Sequence, residues 1–317
     1  MFDNFPKIVA IVLTWNSKRD IVECLRSLKH LAYPNYEVII VDNASTDGTP
    51  EILKNHFSDL TLIRNKINLG FGGGFNVGIK EAIKRKADYV VCLNSDIILG
   101  EHCFSELVKV GEMGRKVGGL CPIAYYYDRP KRVNGAGGKI GIIHSKVFDS
   151  GKLDKGQYSK PKETGMLCGP ALVLKVEALL DIGFLDTDYF YGPEDMDIAL
   201  RLIKHGYKII FVPLAKLWHK GRGATGGAIT PLTIYFSVRN YLLFAKKHAS
   251  HLERKVFLIY FWLFFLPFTL LRFFILGKEK HIDATLKGVV SYYQFTTDAK
   301  GYLHDYYPFN IGQQTAQ

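Results

Sequence analysis

The chain has no Cys-x-x-Cys pair. Its five cysteines, Cys24, Cys92, Cys103, Cys121 and Cys168, are odd in number and scattered. That spacing argues against a metal cluster or a disulfide framework and favours a reducing compartment. The first residues lack a basic region followed by an apolar run and a cleavage site, so no secretory signal is read there. Zinc-finger spacing and RNA-binding signatures are also missing, although 41 Lys and Arg against 30 Asp and Glu leave a formal charge of +11. Nucleic acid is therefore not an expected partner, and the basic balance fits phosphorylated substrates or anionic lipid. The glycine-rich stretch 68–76 lacks the Lys-Ser/Thr of a P-loop and the position of a first-strand dinucleotide fingerprint. It is read as a close-packing or substrate-adjacent loop opening into a helix over 77–85.

What is present is a repeated strand, loop and helix. Residues 8–13 form a continuous β-branched run, as in a parallel strand buried on both faces. Similar runs follow at 36–41 and 89–93, with a short strand at 60–64 and helical patterns from 21 and over 50–57. The expected fold class is α/β, a doubly wound, mostly parallel sheet flanked by helices. Residues 100–165, rich in Gly and Tyr after a helix around 102–113, are expected to be irregular or short antiparallel structure. In such sheets ligands bind beyond the carboxyl ends of the strands. Three polar clusters fall there: Thr14, Trp15 and Asn16; Asp42 and Asn43; Asn94, Ser95 and Asp96.

Further on stands Gly192-Pro193-Glu194-Asp195-Met196-Asp197, ahead of a helical apolar pattern at Ile198, Leu200, Leu202 and Ile203. A helix N-terminus tolerates acids, but three within four positions, with Trp218-His219-Lys220-Gly221 downstream, point to a site that needs a base and a metal ligand. Arg201 lies one helical turn beyond Asp197, at pairing distance.

These segments, with residues 9–16, 38–49, 68–76 and 169–173, resemble the inverting family 2 glycosyltransferases of GT-A fold over about residues 7–222. Within that family they look most like the rhamnosyltransferase-like branch. The resemblance implies a nucleotide-diphosphate sugar donor, dTDP- or UDP-linked, with Asp42 accepting a hydrogen bond from a pyrimidine N3–H. Trp15 would pack on the base or ribose, with Thr14, Asn16, Asn43, Gly70, Asn94 and Ser95 around the donor. It places a divalent cation, Mg²⁺ or Mn²⁺, on Asp96 and His219, and the general base at Asp195. Glu194 would reach the acceptor, and Asp197 and Arg201 would support the helix. The family's common Asp-x-Asp begins here with Asn94, one carboxylate fewer, and Asn94 is an alternative contact for the ribose or diphosphate. Two other readings compete. A nucleotidyltransferase would want a basic glycine loop at 13–19, which is lacking. A non-catalytic nucleotide-sugar-binding scaffold of a polysaccharide assembly complex would tolerate Asn94 but has no need of Asp96, Asp195 and His219 together.

Residues 256–276 are almost wholly apolar and, as a helix, about 30 Å long, close to a hydrocarbon core. Pro267 and Arg272 interrupt them, and Lys and Arg flank both ends. The segment is read as membrane-attached, whether spanning the bilayer or lying in one anionic leaflet. The expected organisation is a catalytic domain over 1–230 and a helical, membrane-associating region over 231–317. The expected acceptor is a polysaccharide or polyprenyl-linked saccharide, met at the cytoplasmic face of the cell membrane. Donor sugar and oligomeric state are not legible.

Overall fold

The computed structural model describes residues 5–114, 116–221 and 229–297, with backbone alone for 295–297. The chain divides into two compact units, Met1–Phe190 with Glu194–Ala224, and Tyr191–Pro193 with Thr225–Gln317. Residues 222–228, where the sequence reading approaches its domain boundary, lie outside the described residues.

The first unit opens with β1 (Ile8–Thr14), α1 (Ile21–Lys29), β2 (Tyr36–Asp42), α2 (Thr49–His56), β3 (Thr61–Arg64), α3 (Gly70–Lys84) and β4 (Tyr89–Asn94). Next come β5 (Ile97–Leu99), α4 (Cys103–Gly111), β6 (Val117–Tyr126) and β7 (Arg129–Gly135). The unit continues through β8 (Gly138–Lys139), β9 (Lys146–Val147), β10 (Lys162–Thr164), β11 (Ala171–Lys175), α5 (Val176–Ile182), α6 (Glu194–Lys204) and β12 (Lys208–His219). The main sheet runs β10-β12-β6-β11-β4-β1-β2-β3. Parallel pairs are β1–β2, β1–β4, β2–β3 and β6–β12, while β11 runs antiparallel to both neighbours. This is the expected mostly parallel sheet, with β1 and β4 at its centre, their β-branched residues fully buried. The carboxyl ends of β1, β2, β4, β6 and β12 and the amino end of β11 therefore share one edge.

Two expectations need correction. Residues 117–126, read as irregular or short antiparallel structure, form β6, a ten-residue strand parallel to β12 and buried at all but its last position. Gly118, Gly119 and Pro122 conceal it, because glycine weakens a strand and proline removes a ladder donor. Both glycines are required by packing: a Cβ on Gly118 would stand 2.8 Å from Leu202 Cδ2, and one on Gly119 would stand 3.0 Å from Leu167 Cδ2. Pro122 sits at a bulge, where β12 advances from Val212 to Lys216 while β6 advances by one residue. The glycine stretch, read as a loop through 76, is instead the first half of α3. Gly74 and Gly78 lie one turn apart and press the helix onto β1, where added Cβ atoms would come within 2.4 Å of Leu13 Cδ1 and 2.3 Å of Ile11 Cγ2. Tertiary packing overrides the low helix propensity of glycine.

The second unit is helical: α7 (Pro231–His248), α8 (His251–Tyr260), one π-helical turn over Phe261–Phe265, α9 (Leu266–Ile275) and α10 (Glu279–Thr297). Capping boxes at Thr230/Thr233 and Ser250/Glu253 start α7 and α8. The π turn lies where Pro267 cannot donate an intrahelical hydrogen bond. Tyr241 packs against the rings of Phe257 and Phe265 at 4.7 and 5.2 Å. The continuous helix His251–Ile275 holds an 18-residue stretch of mean hydropathy 2.0 and is long and apolar enough to cross a membrane.

Candidate active site

The strand register gathers the polar clusters. Thr14 stands opposite Asp42, and Leu13 opposite Asn94. Asp42 is fully buried; its Oδ1 accepts from Ser45 N at 3.1 Å, and Arg64 Nε lies 3.2 Å from its Oδ2. Arg64 was missed from sequence; as the last residue of β3 it pairs in register with Asp42. Thr14 Oγ1 is buried and has no hydrogen-bond partner in the structure, a group that a ligand at this edge would satisfy.

The loops after β1 and β2 are laced together. Asn16, with φ +50°, donates its N–H to Ser45 Oγ at 2.9 Å, and its Oδ1 accepts from Thr46 N at 2.9 Å. Ser17 N donates to Thr49 Oγ1 and Lys18 N to Asp47 Oδ2. Half-buried Trp15 sits between these ties.

Asn43 belongs to this edge but differs from its reading as a donor contact. Its Nδ2 donates to Asn68 Oδ1 and Gly70 O, both at 2.9 Å, while its Oδ1 accepts from Asn65 Nδ2 at 2.9 Å and Leu69 N at 3.2 Å. The amide is fully occupied, so its side chain clamps the entry to α3. Gly70 completes that clamp. Its φ is +74°, and a Cβ would meet Phe190 O at 2.4 Å, so only glycine fits.

Ser95 and Asp96 are buried in the turn after β4. His219 Nε2 lies 3.3 Å from Asp96 Oδ2, and Lys220 N donates to Asp96 O at 3.0 Å. Two ligands bound at right angles about 2.1 Å from a divalent cation are about 3 Å apart, so this pair fits two adjacent positions of an octahedral site. An oxygen and an imidazole nitrogen suit Mn²⁺ and accommodate Mg²⁺. Among the described residues, no group of three or more His, Cys, Asp or Glu could hold a metal; the other ligands would come from diphosphate and water. Lys220, part of the motif but given no role from sequence, is nearly buried between Asp20 Oδ1 at 2.9 Å and Glu23 Oε2 at 2.7 Å. Burial would lower its pKa, but the two carboxylates raise it overall. It anchors the end of β12 and thereby His219.

Asp195 reaches this edge from α6. Asn94 N donates to Pro170 O at 3.0 Å, and the neighbouring Gly169 lies under Asp195, where an added Cβ would be 2.9 Å from Oδ2. Asp195 keeps some solvent access, yet burial of its carboxyl, countered in part by the Met196 N–H, pushes its pKa up to about 6. The stripe Glu194, Asp197, Ile198 and Leu202 is buried along the inner face of α6. Glu194, at 1% exposure, heads that buried stripe. Asp197 Oδ2 takes Arg201 Nε at 2.8 Å and Nη2 at 2.7 Å, and Arg201 also donates to Ile182 O and Phe184 O. This i, i+4 pair fastens α6 to the segment after α5.

The sequence model of glycosyl transferase family 2 matches residues 9–183. The poly-beta-1,6-N-acetyl-D-glucosamine synthase of Staphylococcus epidermidis is 27% identical over 214 residues, 66% of this chain and 48% of the synthase. The chain thus spans about half the length of the curated relatives it matches. A mannosyltransferase from Pyrobaculum calidifontis, solved with GDP-Man and Mn²⁺, superposes with TM-score 0.56 at 18% identity, over 95% of this chain and 77% of that one. S. aureus TarS 1–349 in complex with UDP superposes with TM-score 0.53 at 17% identity, over 91% and 92%. These structures share the fold, and the family match covers more than half of the sequence: the chain belongs to glycosyltransferase family 2.

Proposed function

We propose that this chain is an inverting glycosyltransferase that moves a sugar from a nucleotide diphosphate to a hydroxyl of a polysaccharide or polyprenyl-linked saccharide. It would act at the cytoplasmic face of the cell membrane. The observation that carries the reading is Asp195, a partly accessible carboxyl with pKa about 6, joined through Gly169, Pro170 and Asn94 to the edge that holds Asp96 and His219.

Asp42 would accept the N3–H of a thymine or uracil, and the Thr14 hydroxyl would find its partner on the nucleoside. Trp15 would pack on the base or ribose, while Asn16 and Asn43 hold the loops around it. Asn94 and Ser95 would line the ribose and diphosphate. Asp96 and His219 would hold Mg²⁺ or Mn²⁺, whose charge offsets that of the departing diphosphate. Asp195 would take the acceptor's proton as its oxygen attacks the anomeric carbon opposite the nucleotide. With one base and, among the described residues, no second carboxylate placed as a nucleophile, the configuration would invert, as the family resemblance implies. Glu194, Asp197 and Arg201 would set the position of α6. We propose rhamnose as the transferred sugar, and dTDP- and UDP-linked donors as the nucleotide classes.

The test is nucleotide release from dTDP-, UDP- and GDP-sugars by the purified chain in detergent with a lipid-extract acceptor, under Mg²⁺, Mn²⁺ or EDTA. Consumption of one donor, abolished by EDTA, is expected. Tight nucleotide binding with no donor consumed under any acceptor would favour the scaffold reading instead.

A further inference from the structure

The second unit carries a wide apolar surface. Leu252, Val256, Ile259, Leu263, Phe264 and Phe268 are each roughly half exposed or more, and Phe274 reaches 74%. α10 adds the stripe Leu286, Val290 and Tyr293, and Trp262 stacks on Tyr293 at 6.5 Å, joining the two faces. Between residues 246 and 287 there are eight Lys or Arg against three acids. An exposed aromatic and aliphatic face with cationic surroundings fits an anionic lipid surface.

The packing also bears on orientation. α10 runs antiparallel beside α8 and α9: His281 lies at 5.1 Å from Phe273, and Tyr293 stacks on Trp262. Asp283 and Lys287 fall between those two contacts and form an exposed ion pair at 2.7 Å. They are therefore level with the stretch between Trp262 and Phe273. If His251–Ile275 crossed a bilayer, this pair would be carried into the hydrocarbon beside it, together with exposed Arg272. A helix lying along the surface keeps these charges at the headgroups while its apolar face enters the acyl region.

We infer that α8, α9 and α10 bind one leaflet of an anionic bilayer in its plane, with both ends of His251–Ile275 on the same side of the membrane. This rests on the membrane association proposed above and assigns its geometry. The five native cysteines are buried, and burial raises their thiol pKa values, so introduced thiols report cleanly. The test uses full-length His251→Cys and Glu279→Cys chains in inverted membrane vesicles from an expressing bacterium, treated with a membrane-impermeant maleimide. Both positions are exposed and flank the helix. Equal labelling of both without detergent is expected. Protection of one until detergent is added would establish a crossing and overturn the inference while leaving membrane association intact. Absence of the chain from the membrane fraction would overturn both.

A second measurement uses sedimentation with phosphatidylglycerol/phosphatidylcholine vesicles. Phe268→Glu, at a site 69% exposed, should weaken binding at least tenfold, and pure phosphatidylcholine should bind the wild type at least tenfold less. Equal binding to neutral and anionic vesicles would refute the anionic preference. A stable dimer that ignores vesicles would assign the face to a second copy.

Discussion

Replacing Asp195 by Asn should make the protein more stable and inactive at once. The carboxyl ionises near pH 6 in the folded chain, against about 3.9 in an unfolded one. Between those values the folded state binds the extra proton, so wild-type stability falls as pH rises from about 4 to about 6 and stays lowered above it. Two pH units correspond to about 3 kcal/mol as an upper figure. The remaining solvent access and the Met196 N–H, which an Asn oxygen also accepts, bring the expected gain to about 1–3 kcal/mol. At about 2–4 °C per kcal/mol for a unit of this size, thermal unfolding at pH 7.5 should shift upward by several degrees. At pH 4 the two proteins should coincide. Sugar transfer should fall by about 10²–10⁴, the usual contribution of a positioned base, with nucleotide affinity retained. Wild-type kcat/KM should rise through an acid limb near pH 6. Scanning calorimetry across pH 4–8, with a donor-consumption assay, reads both effects. A variant that loses stability at pH 7.5, or whose gain does not grow between pH 4 and 6, would refute the account of a buried, strained charge. A variant that still turns over would refute its role as base.

Gly169→Ala places a methyl group 2.9 Å from Asp195 Oδ2 at a backbone position that alanine can adopt; kcat should drop at least tenfold while nucleotide affinity and unfolding temperature change little, and unchanged kcat would show the carboxylate is not held there. Gly78→Ala gains about 1 kcal/mol of helix propensity but forces a methyl group to 2.3 Å from Ile11 Cγ2; overpacking costs about 1–3 kcal/mol, so denaturant unfolding should show net loss, and a more stable variant would contradict the close packing of α3. Asn43→Ala removes four hydrogen bonds around 65–70 and leaves buried partners unsatisfied; a loss of about 2–4 kcal/mol is expected by chemical denaturation, whereas reduced nucleotide affinity at unchanged stability would return Asn43 to the donor.

The legible parts of the chain were those governed by local pattern. β1 and β4 are near-continuous apolar runs because both their faces are covered, and the acids of α6 precede a helical apolar period. The acid edge could be assembled from sequence because strand ends in a parallel sheet converge. β6 was illegible because Gly118 and Gly119 are there for the sake of Leu202 and Leu167, residues far along the chain. The first half of α3 reads as a loop for the same reason: Gly74 and, further along, Gly78 serve Leu13 and Ile11 on β1. Asn43 looked like a ligand contact because its four partners lie 22 to 27 residues away, and no local signal distinguishes a clamp from a donor contact. Arg64 itself and the role of Lys220 are not legible because their carboxylate partners are set by strand register and loop return.

The most direct test of the central claim is the anomeric configuration of the product, followed by proton NMR during consumption of the preferred donor. A single glycoside with configuration opposite to that of the donor is predicted from one carboxylate base at Asp195. A product that retains the donor's configuration would require a covalent intermediate, and with it a nucleophile this account does not contain.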